Sequence, residues 1–260
     1  MSPSAPTPVA GHGLLEGKTV LVTAAAGTGI GFATAKRCAE EGAQVMISDI
    51  HERRLAEAVD ALGEATGQSI PCRLCNVRDD GEVRALVADA VDQLGRIDVL
   101  FNNAGLGGTT PVVEMTDEQW DAVLDITLTG TFRMTRAVLP HMIERKKGVI
   151  VNNASVLAWR AQHGQAHYAA AKAGVMALTR CSALEVAEHG IRINAVSPSL
   201  ATHPFLTKVM EQETLDILTA REAFGRGAET WEVANVVVFL ASEYASYMTG
   251  EVVSVSSQRA

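Results

Sequence analysis

The chain predicts an α/β fold: one domain on a doubly wound sheet of seven parallel strands, with helices on both faces and a small helical lid. Three observations lead there. Apolar, β-branched runs alternate with amphipathic stretches from end to end, the pattern of strand–helix units rather than of separate α and β blocks. Most of the short runs are near-continuously hydrophobic, as parallel strands covered on both faces require. Finally, 260 residues with 47% hydrophobic content suffice for one large core, and no internal repeat or interdomain linker divides them.

Residues 1–13, with Pro3, Pro6 and Pro8, read as a flexible N-terminal arm. The first strand, Lys18–Thr23, runs through a glycine-rich turn into a helix at Ile30–Glu41. A second strand, Gln44–Ser48, and a helix, Glu52–Ala65, follow; then a third strand at Ile70–Cys75 and a helix at Asp79–Leu94. The fourth strand is Ile97–Phe101, and the 3.6-residue pattern predicts one long helix over Asp117–Arg145. The fifth strand, Gly148–Asn153, leads to a helix at Gln165–Glu188, and the sixth is Ile191–Val196. Residues 203–227, with Pro204, Phe205 and Gly225-Arg226-Gly227, depart from the alternation and read as the lid. A helix at Thr230–Ser242 and a last strand at Glu251–Val255 complete a single domain spanning 14–260.

Composition removes several function classes. A formal charge of −8 argues against nucleic acid or an anionic membrane as the main partner. No apolar run approaches the roughly 18 residues that span a bilayer, and the N-terminus lacks the basic and apolar regions of a secretory signal. Four cysteines fit a reduced, cytoplasmic setting. Cys72 and Cys75 form a C-x-x-C pair, but on a strand residues three apart face opposite sides, and no second pair accompanies them. No metal site is expected.

In a doubly wound sheet, ligands bind beyond the carboxyl ends of the strands. The first strand ends in Thr23-Ala24-Ala25-Ala26-Gly27-Thr28-Gly29-Ile30-Gly31, where glycines let backbone approach a pyrophosphate held at a helix N-terminus. Asp49 follows 20 residues after Gly29, where an acid binds adenosine ribose hydroxyls. A carboxylate there repels a 2′-phosphate, which favours NAD; His51, Arg53 and Arg54 keep NADP open. The blander reading of Asp49 is a helix N-cap.

The fourth strand ends in Phe101-Asn102-Asn103-Ala104-Gly105 and the fifth in Val151-Asn152-Asn153-Ala154-Ser155. Thirteen residues beyond Ser155 comes Tyr168, and four beyond that Lys172, on one face of the same helix. A lone phenol titrates near ~10 and serves poorly as an acid or base at neutral pH. A neighbouring ammonium favours the phenolate, so Lys172 is expected to lower Tyr168. A core tyrosine beside a surface lysine is the ordinary alternative for this spacing alone. Ser155 and Tyr168 at one sheet edge suit two hydroxyls meeting one substrate oxygen in carbonyl–alcohol chemistry.

Together these motifs resemble the short-chain dehydrogenase/reductase family, a Rossmann-type fold, over nearly residues 14–257. Asn194-Ala195-Val196-Ser197-Pro198 and the ending Tyr247-Met248-Thr249-Gly250-Glu251-Val252-Val253 carry the resemblance further. It implies that Tyr168 is the general acid/base, that Ser155 orients the substrate oxygen, and that Lys172 tunes Tyr168 and holds the nicotinamide ribose. It implies a cofactor cradle of Thr23, Ala24, Gly27, Gly29, Ile30 and Gly31, with Asp49, Asn76, Val77, Asn103, Ala104 and Gly105 alongside. Pro198, Ser199, Leu200 and His203 would meet the nicotinamide amide. The two long helices carrying Thr127 and Tyr168 have apolar residues over much of their circumference, such as Val175, Met176 and Leu178, and helices hydrophobic all round need burial. The family pairs these helices into dimers that assemble as homotetramers.

Four departures stand out. Ala24 replaces the family's first glycine in a loop one residue longer; Asn76 replaces an acid near the adenine; Pro198-Ser199 replaces Pro-Gly, with His203 where a threonine is usual; and Thr127 stands where the family places a relay asparagine. These features, with Trp159-Arg160-Ala161-Gln162-His163, are similar to a narrower actinobacterial group acting on hydroxy-hydrindanone carboxyl-CoA thioesters in steroid C/D-ring degradation. That likeness implies a bulky acyl-CoA substrate, apolar walls from Leu106, Trp159 and Phe205, and rim cations among Arg160, Lys208, Arg221 and Arg226. A 3-oxoacyl-thioester or general steroid reductase is the nearest alternative. A dinucleotide-binding scaffold or sensor without turnover is the alternative of another class, motivated by Ala24 and Thr127.

Overall fold

The structure is a computed structural model that describes residues 6–203 and 212–257. In chain order the elements are β1 (Thr19–Val22), α1 (Ile30–Glu40), β2 (Gln44–Asp49), α2 (Glu52–Thr66), β3 (Cys72–Leu74), α3 (Asp80–Leu94) and β4 (Val99–Asn102). Then come α4 (Asp117–Leu124), a π-helical turn (Asp125–Thr129), α5 (Gly130–Arg145), β5 (Gly148–Asn153) and α6 (Ala166–Val186). The last are β6 (Ile191–Pro198), β7 (Ala201–Thr202), α7 (Gln212–Arg221), β8 (Ala228–Glu229), α8 (Thr230–Ala241) and β9 (Val252–Val255).

Seven strands form one sheet in the order β3-β2-β1-β4-β5-β6-β9. Every pairing in it is parallel. The chain winds outward from β1 to β3, then returns to place β4 on the other side of β1. Loops leaving β1 and β4 therefore part in opposite directions, and the crevice between them is where such sheets bind ligands.

Side chains alternate across each strand, which explains the unbroken hydrophobic runs. Val20 and Val22 of β1 pack in one core cluster with Val45, Ile47, Phe101 and Val237. Leu21 faces the other cluster, with Met46, Leu100, Ile150 and Val138. A buried polar ladder crosses the sheet as well. Asn102 Nδ2 donates to Thr135 Oγ1 at 3.1 Å and to Asn152 Oδ1 at 2.9 Å, and Asn152 Nδ2 donates to Thr179 Oγ1 at 2.9 Å. It links α5 to α6 through neighbouring strands β4 and β5.

Four expectations need correction. β3 holds three exposed residues rather than the six of Ile70–Cys75, because it is the sheet edge and has one neighbour to pair with. The single helix over Asp117–Arg145 is interrupted by the π-helical turn at Asp125–Thr129, a feature that hydrophobic periodicity does not reveal. β6 runs two residues past Val196 because β9 pairs with it as far as Pro198. On α6, Val175 and Met176 are buried within the chain's own core, so they do not mark an outer face. Within the lid, α7 and the short β7–β8 ladder are seen, while residues 204–211 lie outside the described residues.

The inner half of the N-terminal arm is hydrogen-bonded to the domain. Arg37 donates to the carbonyls of Val9 and Ala10, and the Glu41 carboxylate accepts from the N–H groups of His12 and Leu14. Arg37 and Glu41 are themselves paired and buried. No helix among the described residues is long and apolar enough to cross a membrane.

Candidate active site

The turn after β1 is shaped by close backbone contacts. A Cβ on Gly31 would lie 2.4 Å from the Ala24 carbonyl oxygen and 2.5 Å from Asn103 Nδ2, so no side chain fits. Ala24 has φ +50°, in the left-handed region that glycine tolerates best, a strain of about 1–2 kcal/mol for alanine. Asn103 Nδ2 holds it there by donating to the Ala24 carbonyl at 2.8 Å. Thr23 Oγ1 accepts from the N–H groups of Asn103 and Ala104 at 2.9 and 3.2 Å, which locks the β1 and β4 loops together.

These residues fit a dinucleotide. Gly27 and Gly29 face open space. Helix α1 begins at Gly29 with no side-chain cap and no acidic residue in its first turn, leaving N–H groups for an anion. Asp49, at the end of β2, accepts from Ala26 N–H at 3.1 Å and from His51 N–H at 3.0 Å. It thus ties the glycine turn to its own strand end, while the N-cap of α2 is His51. Burial raises its carboxyl, and the Ala26 N–H, the Arg54 charge and the Ile50 N–H oppose that shift. Asn76 Oδ1 accepts from Arg78 N–H at 3.1 Å, and Val77 packs 2.7 Å from where a Cβ on Gly130 would lie.

Ser155, Tyr168 and Lys172 converge beside this turn. Ser155 caps a short 3-10 turn, its Oγ accepting from Leu157 N–H at 3.2 Å, which leaves its O–H free to donate. Ser155 also hydrogen-bonds the Tyr168 phenol, one turn into α6. Lys172 is 3% exposed. Its Nζ donates to the Asn153 carbonyl and sits 5.6 Å from the centre of the Tyr168 ring.

The electrostatics differ from the expectation drawn from spacing. Burial raises the Tyr168 phenol above its ordinary value, and the hydrogen bond from Ser155 only partly offsets it. Burial also lowers Lys172 to about 8. Desolvation, which disfavours the charged form of both groups, outweighs the lowering that Lys172 was expected to supply.

Thr127 is fully buried in the π-helical turn, and its hydroxyl is already engaged. It accepts from Leu106 N–H at 3.0 Å and donates to the Leu106 carbonyl at 3.2 Å. The Thr127 carbonyl accepts from Thr131 Oγ1 at 2.8 Å. A Cβ on Gly105 would lie 3.5 Å from Lys172 Nζ and 3.7 Å from Thr127 Oγ1, ordinary contact distances that place this loop beside both side chains. Gln165 extends the grip, donating to the Gly108 carbonyl at 2.7 Å and to Thr109 Oγ1 at 3.0 Å. The sequence motifs did not single out Gln165; its place at the start of the Tyr168 helix was the available signal.

Leu106 and Trp159 are 39% and 49% exposed, and Arg160 lies at the surface beside Trp159. Phe205 and Lys208 lie outside the described residues. Arg226 pairs with Glu232 through two bonds of 2.7 and 2.9 Å, so its charge is already matched. Pro198 ends β6, Ser199 and Leu200 form the turn to β7, and His203, partly buried, has no partner for Nδ1 among the described residues. Also among them, no cluster of His, Cys, Asp or Glu is arranged to hold a metal ion. A cavity of about 720 Å³ between α1, α8 and the arm, lined by Phe32 and Trp231, contains none of these side chains. Side-chain chemistry, not cavity size, locates the site.

Comparison with known proteins agrees with the geometry. The family model described as enoyl-(acyl carrier protein) reductase matches residues 24–257. The chain is 61% identical to the (5R,7aS)-5-hydroxy-7a-methyl-1-oxo-2,3,5,6,7,7a-hexahydro-1H-indene-carboxyl-CoA reductase of Mycobacterium tuberculosis, over 98% of this chain and 97% of that one. It is 41% identical to a 3-oxoacyl-[acyl-carrier-protein] reductase of Thermotoga maritima, over 93% and 97% of the two chains. A crystal structure of a short chain dehydrogenase from Mycobacterium smegmatis superposes with a TM-score of 0.88 at 59% identity, covering 99% of each chain. With likeness of this degree over almost its whole length, the chain belongs to the short-chain dehydrogenase/reductase family, oxidoreductases that work with a nicotinamide cofactor.

Proposed function

We propose that this chain moves hydride between NAD(H) and a secondary alcohol or ketone on a bulky, ring-bearing acyl-CoA from steroid breakdown. The observation that carries this reading is the meeting of Ser155, Tyr168 and Lys172 beside a glycine-lined helix start. The relative at 61% identity, named for a ring-bearing carboxyl-CoA, supports the substrate class. NAD is favoured over NADP because the Asp49 carboxylate stands at the end of β2, where a 2′-phosphate would be repelled.

When bound, the nicotinamide supplies or accepts the hydride. In the reducing direction Tyr168 donates its proton to the ketone oxygen, and its elevated phenol value keeps that proton in place until needed. Ser155, whose Oγ is fixed by Leu157 N–H, turns its O–H from the Tyr168 phenol to the same oxygen and stabilises the developing charge. The Lys172 ammonium, held by the Asn153 carbonyl, returns a proton to Tyr168 and is itself reprotonated from solvent to close the cycle. In the oxidising direction the same steps run backwards. Thr127 works as a positioning residue, holding Leu106 and Gly105 against Lys172. Leu106 and Trp159 provide apolar walls for fused rings, Arg160 a rim cation, and Pro198 to Leu200 with His203 the contact to the carboxamide.

The test compares wild type with Tyr168→Phe, using NAD(H) and NADP(H) across ketones with and without a CoA ester. Tyr168→Phe should bind NADH as wild type does and lose about 10²- to 10⁴-fold in kcat, the usual worth of a positioned acid/base. If wild type binds NADH but reduces no ketone, the scaffold reading replaces this one. Preference for simple 3-oxoacyl thioesters would favour the second reading, which the 41% identical relative supports. We also place the protein in the cytoplasm, consistent with its free cysteines, and as a homotetramer.

A further inference from the structure

The turn from Pro198 to Thr202 is held from behind by a residue that none of the motifs marks. Glu222, just past the end of lid helix α7, is 2% exposed. Its Oε1 accepts from Leu200 N–H at 3.4 Å, and its Oε2 accepts from the Ser257 hydroxyl at 2.9 Å. The surrounding bonds run the same way. Ser199 N–H donates to the Val255 carbonyl at 3.2 Å, Ala223 N–H to the Ser257 carbonyl at 2.5 Å, and Ala228 N–H to the Leu200 carbonyl at 2.8 Å. Gly227 packs against the same turn, where a Cβ would lie 3.0 Å from the Leu200 carbonyl oxygen.

A carboxylate withdrawn from water is unfavourable unless each oxygen finds a donor. Here the two oxygens find theirs in two separate segments, 22 and 35 residues away. Beside them is a cavity of about 150 Å³ lined by Ser199, Glu222, Arg226, Glu232, Val255 and Ser257. Arg226 is committed to Glu232 rather than to Glu222. A simple ion pair therefore does not explain the placement of Glu222.

We propose that Glu222 is a positioning residue that couples the lid helix and the C-terminal segment to the turn that receives the nicotinamide end of the cofactor. This rests on the assignment of Pro198–His203 to that end in the reading above. Glu222 touches neither cofactor nor substrate; it acts through the Leu200 backbone. Loss of the carboxylate frees the turn, so contacts to the nicotinamide weaken while those to the adenosine half, on the far side of the crevice near Asp49, persist.

The experiment measures binding of NADH and of ADP-ribose, which lacks the nicotinamide, to wild type, Glu222→Ala, Glu222→Gln and Ser257→Ala. Glu222→Ala should weaken NADH about tenfold, the scale of a lost hydrogen bond to a charged group, and leave ADP-ribose within about twofold. Glu222→Gln retains an acceptor for Leu200 and a donor for the Ser257 oxygen, and should recover most of the NADH affinity. Ser257→Ala, which removes one hydroxyl, should fold and shift NADH in the same direction as Glu222→Ala, also without affecting ADP-ribose. Equal weakening of both ligands, or no weakening of NADH in Ser257→Ala if Glu222→Ala fails to fold, overturns the proposal. Failure of wild type to bind NADH would instead overturn the reading on which it rests.

Discussion

Lys172 keeps its charge inside the fold at the expense of stability. Its value of about 8 in the folded chain lies below the ordinary 10.5, because burial disfavours the ammonium. Between those two values the unfolded chain holds a proton that the folded chain has released. Folding stability from this group therefore rises with pH from about 8 to 10.5, and below pH 8 the full penalty is present. The penalty is on the order of 3 kcal/mol. Lys172→Met removes it, so the variant should be the more stable at pH 7, and its advantage should shrink as pH climbs through that window. Denaturant melts at several pH values check this, and a pH-independent difference contradicts it. Tyr168 and the thiols of Cys38 and Cys75, the latter two pushed up to about 12, act in the opposite sense at high pH. They are common to both proteins and cancel in the difference.

At the scale of elements, the π-helical turn between α4 and α5 brings Thr127 to the loop after β4. Such turns insert an extra residue and recur at functional sites. Asp125 at its start is braced by Arg78 at 3.0 Å and Arg133 at 2.7 Å, and Arg133 also reaches the Val77 carbonyl at 3.3 Å. The segment after β3 and the Thr127 turn are thereby tied together. Thr127→Val leaves Leu106 N–H and C=O without their partner and should cost about 1–3 kcal/mol in a urea melt. Because the slackened loop includes Leu106, KM for the ketone should rise more than kcat falls. An unchanged KM would show that the hydroxyl does not hold the loop. The turn was not legible beforehand, since Asp117–Arg145 carries a helical period throughout and a single-residue insertion scarcely disturbs it. Edge strand β3 was misjudged in length for a related reason: how far a strand extends depends on what pairs with it.

For the whole molecule, the apolar surface left after folding bears on assembly. Trp120 on α4, Phe132 on α5 and Leu184 on α6 are 38%, 40% and 80% exposed. They differ from Val175 and Met176, which the sequence suggested and which the chain buries for itself. A tetramer covering these helices should give about four times the 27.5 kDa chain mass by light scattering. Replacing Leu184 and Phe132 with charged residues should lower that mass, and a wild-type monomer at micromolar concentration would refute the assembly. The arm contributes at the same scale, since Arg37 and Glu41 tie residues 9–14 to α1 across nearly thirty positions of sequence.

The sequence by itself determined the order of strands and helices, because side-chain periods of 2.0 and 3.6 are local properties. It also determined that Tyr168 and Lys172 share a helix face, and that glycines and Asp49 meet at strand ends, since each follows from spacing within one or two elements. The tertiary structure decided everything that depends on burial or on segments far apart in the chain. Desolvation raises Tyr168 and lowers Lys172, against the sign expected from their adjacency alone. The Thr127 hydroxyl is consumed by Leu106, 21 residues earlier. Glu222 joins Leu200 to Ser257. Periodicity identifies which face of an element is buried; packing alone settles which distant group meets it there, and how much water remains between them.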